Sequence, residues 1–213
     1  MNFFASVLHA FEAGGLFMYP IAIVGVLVIA IAIERWLFLS RVGRENSKLW
    51  AEISPLLGQG DVDGAARLID GSDTAIARII GNGLNQARVD NKRSELEVAT
   101  EEGLMEVLPA IEKRTHYLGT FSNMSTLLGL LGTVIGLITS FAALGSADPA
   151  EKADLLSKGI SEAMNCTAFG LLVAIPALLL HSYLQAKTTE LVDGLEAVCG
   201  RFVNLLSNRA PRR

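Results

Sequence analysis

Three long stretches of the chain contain no charged residue, and they constrain its fold more than any other feature. They cover residues 16–33, 118–144 and 163–184, which are 18, 27 and 22 residues long. About 20 apolar residues, rising roughly 1.5 Å each, cross the roughly 30 Å hydrocarbon core of a bilayer. Helices of a soluble core rarely run this long without a polar face. The sequence therefore predicts an all-α membrane protein with three transmembrane helices.

The composition agrees with a membrane protein and excludes several functions. Hydrophobic residues make up 51% of the chain and charged residues 19%, with a mean hydropathy of +0.41. Soluble domains carry about 25% charge. The net charge of −4 argues against a nucleic-acid partner. Cys166 and Cys199 lie far apart, and the histidines show no metal-ligand spacing, so we expect neither metal nor cofactor. No nucleophile–base pair or phosphate loop suggests an enzyme.

The distribution of basic residues predicts the orientation. Residues 1–15 contain no Lys or Arg, which argues against a signal peptide, whereas Arg35, Arg41, Arg44 and Lys48 follow the first span. We expect seven segments: a periplasmic N-terminus (1–15), the first span (16–33), a cytoplasmic helical domain (34–117), the second span (118–144), a periplasmic loop (145–158), the third transmembrane helix (159–184) and a cytoplasmic C-terminal helix and tail (185–213).

Turn and capping signals divide the predicted cytoplasmic part. Breaks are expected at residues 54–55 and 58–60, Asp61 is expected to cap a short helix through Ile69, and residues 71–73 to open a helix ending near Arg88. Ser94 and Glu97 form a capping-box pattern that predicts the start of a long helix. We expect this helix to run on through the second span, with a kink at Pro109.

The third transmembrane helix is also expected to continue into the cytoplasm. An apolar face at heptad spacing follows its span and predicts about five further turns packed on a neighbour. Asn208 and Pro211 are expected to end the helix. The residues of this face are Leu184, Leu191, Leu195, Val198, Phe202 and Leu205.

Small and hydroxyl residues recur at steps of three and four along the second and third spans. Such a stripe indicates either close helix packing or the lining of a pore. Packing fits Gly132 and Gly136 best, and for Thr133 and Thr167 the spacing leaves both interpretations open. In the second span the stripe comprises Ser122, Ser125, Thr126, Gly129, Gly132, Thr133, Gly136, Thr139, Ser140 and Ala143; in the third it comprises Ala163, Thr167, Gly170, Ala174 and Ala177.

Charge is absent from the middle of every span. Glu162 is an acid at the outer start of the third span, and it either interacts with the dipole of a first helical turn or relays protons or cations at a pore mouth. Proton movement normally needs a titratable group within the membrane. Either this chain moves no protons, or a partner brings the carboxylate.

Two segments carry a family resemblance. The sequences GLLGTVIGLITSF (129–141) and GISEAMNCTAFGLLVAIPA (159–177) resemble the second-span and third-span signatures of the MotA/TolQ/ExbB proton-channel family. Glu34 and Arg35 after the first span fit as well. With three spans rather than four, the chain looks like the ExbB/TolQ branch. Asn165 and Cys166 depart from the family, which often has small apolar residues there.

The resemblance implies a homopentamer in the bacterial inner membrane, around the single-span helices of ExbD/TolR-like partners that each carry an aspartate. Carried over residue by residue, it implies a proton pathway at Thr133, Thr167 and Glu162. The expected packing residues of the pore face are Gly129, Gly132, Gly136, Gly170 and Ala174. The expected function is a proton-channel (stator) subunit that converts proton motive force into mechanical work through a TonB-, TolA- or motility-type effector. The alternative is a non-conducting membrane scaffold that clusters partner proteins.

Overall fold

The computed structural model describes residues 14–145 and 148–207, and helices account for nearly all of them. No strand occurs within these residues. Three helical stretches are long and apolar enough to cross a membrane, so the predicted fold class is confirmed. The helices are α1 (Met18–Gln59), α2 (Val62–Asp70), α3 (Ala75–Val89), α4 (Arg93–Glu112), α5 (Thr115–Leu144) and α6 (Lys152–Ser207).

The chain divides into two compact units. The membrane unit comprises Met1–Ile33 and Arg114–Tyr183, and the polar unit comprises Glu34–Lys113 and Leu184–Arg213. In the membrane unit a small apolar core forms around Met18, Ile21 and Cys166. In the polar unit the core consists of large aliphatic and aromatic side chains, among which Ile53, Ile76, Ile79, Ile80, Leu96 and Phe202 are almost completely buried.

The predicted N-cap of α2 is confirmed, and the N-cap of α3 lies one residue after the predicted turn. The Asp61 side chain caps α2 by accepting a hydrogen bond of 2.8 Å from the backbone N–H of Gly64. Thr74, one residue after the predicted turn, caps α3 by accepting from Ala77 at 3.2 Å. The prediction for α4 is wrong, because Lys92 occupies the N-cap and Ser94 already lies inside the helix.

The predicted helix from the polar unit through the second span is interrupted. α4 ends at Glu112, and Arg114 adopts a left-handed conformation with φ of 70° before α5 begins. In an unbroken helix the carbonyl of Ile111 would accept from the N–H four residues later. Here it accepts from the guanidinium of Arg35, which is 1% exposed. A buried cation at the C-terminus of a helix is favourable, and it replaces the missing helical bond.

The prediction of a break at residues 54–55 is also wrong. α1 continues through Pro55, because the buried Ile53 and Leu57 anchor the helix on both sides of it. The break at residues 58–60 is confirmed, since α1 ends at Gln59 and Gly60 has a positive φ of 88°.

α6 begins seven residues before the predicted start at 159 and continues to Ser207. Leu184, Leu195, Val198 and Phe202 of the predicted apolar face are buried, which confirms the extension of the helix beyond its span. The predicted terminators Asn208 and Pro211 lie outside the described residues, as do residues 1–13.

Candidate functional site

The site is built on the antiparallel contact between α5 and α6 in the membrane unit. A Cβ on Gly170 would lie 2.8 Å from the backbone oxygen of Ser125, and one on Gly129 would lie 3.3 Å from the Cα of Gly170. The backbones of α5 and α6 are therefore in direct contact, which glycine permits between helices in lipid. We call this contact the seam. Its residues are Ser122, Ser125, Gly129, Gly132, Thr133, Gly136 and Ser140 of α5, and Gly159, Ala163, Cys166, Thr167, Gly170 and Ala174 of α6.

Two serines of α5 form interhelical hydrogen bonds in the part of the seam nearest to Arg114. The Ser122 hydroxyl donates to the backbone oxygen of Ala174 at 2.7 Å, and the Ser125 hydroxyl donates to that of Gly170 at 3.1 Å. Both serines are buried. Their hydroxyl groups therefore serve as hydrogen-bond donors that join the two helices.

Glycines and alanines continue the packing along the seam. A Cβ on Gly132 would collide with the Cys166 side chain, and one on Gly136 would lie 3.3 Å from the Cβ of Ala163. Ala174 is 4% exposed. The packing interpretation of these small residues therefore agrees with their contacts.

Part of the predicted stripe lies outside the seam. Thr126, Thr139 and Ala143 are exposed, and within the described residues the two threonine hydroxyls donate only to carbonyls of α5 itself. Leu127 and Leu131 of α5 are also exposed.

Thr133 and Thr167 meet at the centre of the seam. Their hydroxyl groups are hydrogen-bonded to each other, and both side chains are half-buried. The Thr133 hydroxyl also lies 3.1 Å from the oxygen of Gly129 and 3.2 Å from that of Ala163, while the Thr167 hydroxyl lies 3.1 Å from that of Gly129. The sequence put these threonines on separate helices, and the structure brings them together.

The hydroxyl pair can both donate and accept. Each threonine hydroxyl carries one proton and two acceptor lone pairs. Thr133 and Thr167 can therefore receive a hydrogen bond from a neutral carboxylic acid, or rotate to donate to a carboxylate. Neither hydroxyl adds a charge of its own to the span.

Glu162 does not lie in the first turn of a helix, as an interaction with the dipole of that turn would require. It is ten residues after the start of α6, so the dipole of the first turn of that helix does not explain it. Its carboxylate instead lies against Gly15, where a Cβ would overlap a carboxylate oxygen. Gly15 has a φ of +73° and lies just before α1, whose positive N-terminal end favours a carboxylate. The sequence gave no signal for this contact, since the two residues are 147 positions apart.

Asn165 and Cys166, the two departures from the family pattern, have different surroundings. Asn165 is half-buried, and Cys166 lies in the core with Met18 and Ile21. Among the residues that the structure describes, no cluster of three His, Cys, Asp or Glu residues could hold a metal ion.

Known proteins resemble this chain over most of its length. Residues 71–197 match the MotA/TolQ/ExbB proton channel family. The "Putative biopolymer transport protein ExbB homolog" of Methanothermobacter thermautotrophicus is 31% identical over 200 residues, which cover 93% of this chain and 70% of the relative. The "Putative biopolymer transport protein ExbB-like 3" of a Synechocystis species is 32% identical over 198 residues, 89% of this chain and 93% of the relative. The "Tol-Pal system protein TolQ" of Haemophilus influenzae is 34% identical over 97 residues, 46% of this chain and 40% of the relative.

Proposed function

The chain belongs to the MotA/TolQ/ExbB proton channel family, in its ExbB/TolQ-like branch, and from this premise we propose that it is the ring-forming subunit of a motor driven by proton motive force. The ring is a homopentamer in the cytoplasmic membrane, with the N-terminus periplasmic and the polar unit cytoplasmic. It encloses single-span ExbD/TolR-like helices, each with an intramembrane aspartate. We propose that the work serves biopolymer transport or a Tol-Pal system, which the names of the relatives support.

The hydroxyl pair of Thr133 and Thr167 is the observation that carries this proposal. It places two half-buried hydroxyl groups in spans that contain no charge, and because each oxygen has two lone pairs, the pair can still bind a further polar group. A partner aspartate, when neutral, donates to this pair and, when ionised, accepts from it. The ring thereby offers the aspartate equivalent sites, one per subunit, in both of its protonation states.

Proton flow supplies the energy for movement between these sites. The transmembrane potential provides roughly 2.3 kcal/mol per elementary charge for each 100 mV. A few protons therefore suffice for a step that costs several kcal/mol. Glu162, five residues and about 7.5 Å of helix rise from Thr167, supplies a carboxylate at the outer mouth of this path.

Threonine-to-valine substitutions test the assignment. Thr133→Val and Thr167→Val keep the side-chain shape and remove the hydroxyl, so the ring should assemble normally while potential-driven proton uptake by the reconstituted complex is lost. Thr126→Val and Thr139→Val are matched controls, since their hydroxyls bond only within α5, and both should retain uptake. Full uptake by the Thr133 and Thr167 variants would show that the assigned pore face is wrong.

The scaffold hypothesis makes the opposite prediction in the same assay. A subunit that only clusters partner proteins needs the close packing of Gly129 and Gly170 but no hydroxyl chemistry. Reconstitution with the single-span partner would then produce no potential-dependent proton uptake, with either the wild-type chain or its variants.

A further inference from the structure

The polar unit contains an open groove between α1 and α6. Its cavity volume is about 750 Å³, and its walls are mainly apolar, with Leu39, Trp50, Leu191, Leu195 and Val198 among them. Its charged residues are three cations, Arg44, Lys187 and Arg201, and one carboxylate, Glu190. We call this surface the basic groove.

None of these three cations forms an ion pair within 4 Å in the part of the chain that the structure describes. Lys187 donates to the Ser40 hydroxyl at 2.6 Å and lies 5.8 Å from the centre of the Trp36 ring, and Arg44 donates to the backbone oxygen of Ser40 at 3.1 Å. The basic groove thus combines apolar walls with an excess of positive charge, three cations against the single carboxylate of Glu190.

α4 carries the complementary surface. Its inner side is buried in the polar unit through residues such as Leu96, Leu104 and Val107. Its opposite side exposes 54% of Val98 and 61% of Met105, one heptad apart. Glutamates flank this pair, and we call the exposed surface formed by Glu95, Val98, Glu102, Met105 and Glu112 the acidic face.

The glutamates of the acidic face form no ion pair within 4 Å in the described residues. Ion pairs within the described residues engage Glu97 and Glu106 of α4, but not Glu95, Glu102 or Glu112. The outer side of α4 therefore combines two large exposed apolar side chains with carboxylates, as an interface with an apolar centre and a polar rim does. In its own chain this outer side stays exposed.

We propose that the acidic face of one copy docks into the basic groove of the next copy around the ring. This inference rests on the homo-oligomer of the proposed function and specifies its interface in the polar unit. Rings form when two different surfaces of the same chain are complementary, so that each copy uses both. Here Val98 and Met105 bury apolar area against the groove walls, and the glutamates meet Arg44, Lys187 and Arg201.

Cross-linking between differently tagged copies tests the docking. One copy carries Met105→Cys and the other Gly194→Cys, a groove position with nothing within 4 Å of its added Cβ. A short bis-maleimide should join the two tags in intact membranes. The matched control is Gly58→Cys, which has equally open surroundings outside the groove and should give no product with Met105→Cys. Cys199 contributes little background, because burial raises its thiol pKa to about 11.

Substitutions that reverse the charge of groove residues provide a second test of the docking. Arg44→Glu with Lys187→Glu in the groove copy should reduce the cross-linked product about tenfold, since like charges then oppose each other. Glu95→Lys with Glu102→Lys in the other copy should restore it. Rescue of this kind requires that the two surfaces touch.

Failure of the docking is distinguishable from failure of the proposed function. If the oligomer is intact by native mass spectrometry and takes up protons, but Met105→Cys and Gly194→Cys do not cross-link, the docking is wrong and the function stands. The docking is equally overturned if the wild-type groove retains a phospholipid that Arg44→Glu with Lys187→Glu loses, without any cross-link. A chain that stays monomeric and takes up no protons contradicts both.

Discussion

The two units of the chain pack their helices by different means. In the membrane unit, α5 and α6 meet through glycine, alanine and serine, and the backbone oxygen of Ser125 lies where a Cβ of Gly170 would need space. In the polar unit, the packing residues are large, with Ile79, Leu96 and Phe202 no longer accessible to solvent.

This difference reflects the solvent of each unit. In water, burial of apolar side chains drives helices together, at roughly 25 cal/mol per Å². In lipid the surroundings are as apolar as leucine, so close van der Waals contact and interhelical hydrogen bonds drive the association. A stripe of small residues in a span is therefore primarily a packing device. The hydroxyl pair of Thr133 and Thr167, rather than the glycines around it, distinguishes this seam.

The largest effect should come from the core of the polar unit. Phe202→Ala removes a fully buried ring and should lower the free energy of unfolding by about 3–5 kcal/mol. Denaturation in mixed detergent micelles measures this change. Val89→Ala is the control, because that side chain is 83% exposed and its loss should have almost no effect. Equal effects of the two variants would show that hydrophobic burial does not hold this unit together.

The next largest effect should come from overpacking the seam. Gly170→Leu places a side chain against the backbone of α5, which cannot rotate away, and should destabilise the protein by about 1–3 kcal/mol. Gly200→Leu on the same helix has open space around it and should leave the melting temperature nearly unchanged. Tolerance of Gly170→Leu would contradict the backbone contact between α5 and α6.

A smaller effect is expected at the start of α3. Thr74→Ala removes the capping hydroxyl that accepts from Ala77 and should cost about 1 kcal/mol. Ser94→Ala is its counterpart, because Ser94 lies inside α4 and caps nothing there. Thermal unfolding should separate the two variants. A larger loss from Ser94→Ala would restore the capping box that the sequence suggested.

The smallest effect should come from one interhelical hydrogen bond in the seam. Ser125→Ala removes the bond to the oxygen of Gly170 and should cost about 0.6 kcal/mol, the average for such bonds in membrane helices. Ser182→Ala, at an exposed position of α6, provides the baseline. A loss as large as that of Phe202→Ala would mean that polar bonds, rather than close packing, hold the seam.

Predictions from the sequence were confirmed where a short stretch of residues determines the local structure by itself. Absence of charge over a membrane's thickness identified all three spans. Asp61 caps the helix that follows it, and Gly60 ends the helix before it, because both act through their immediate neighbours.

Predictions from the sequence failed where a contact between residues far apart in the chain determines the local structure. The chain breaks between α4 and α5 because Arg35 takes the carbonyl of Ile111, 76 positions away. The Glu162 carboxylate lies against Gly15, which precedes α1 and is 147 positions away in the sequence. The predicted stripe of α5 is wider than the seam, because successive steps of three and four in a helix of 3.6 residues per turn spread around its circumference, and Thr126 and Thr139 are exposed.

The pore face is tested most directly by a cryo-EM map of the chain assembled with its single-span partner. Thr133 and Thr167 of every subunit should point inward, with hydroxyls within hydrogen-bond distance of the partner aspartate. A map in which both threonines face acyl chains, and leucines line the central opening, would contradict the proposed proton pathway.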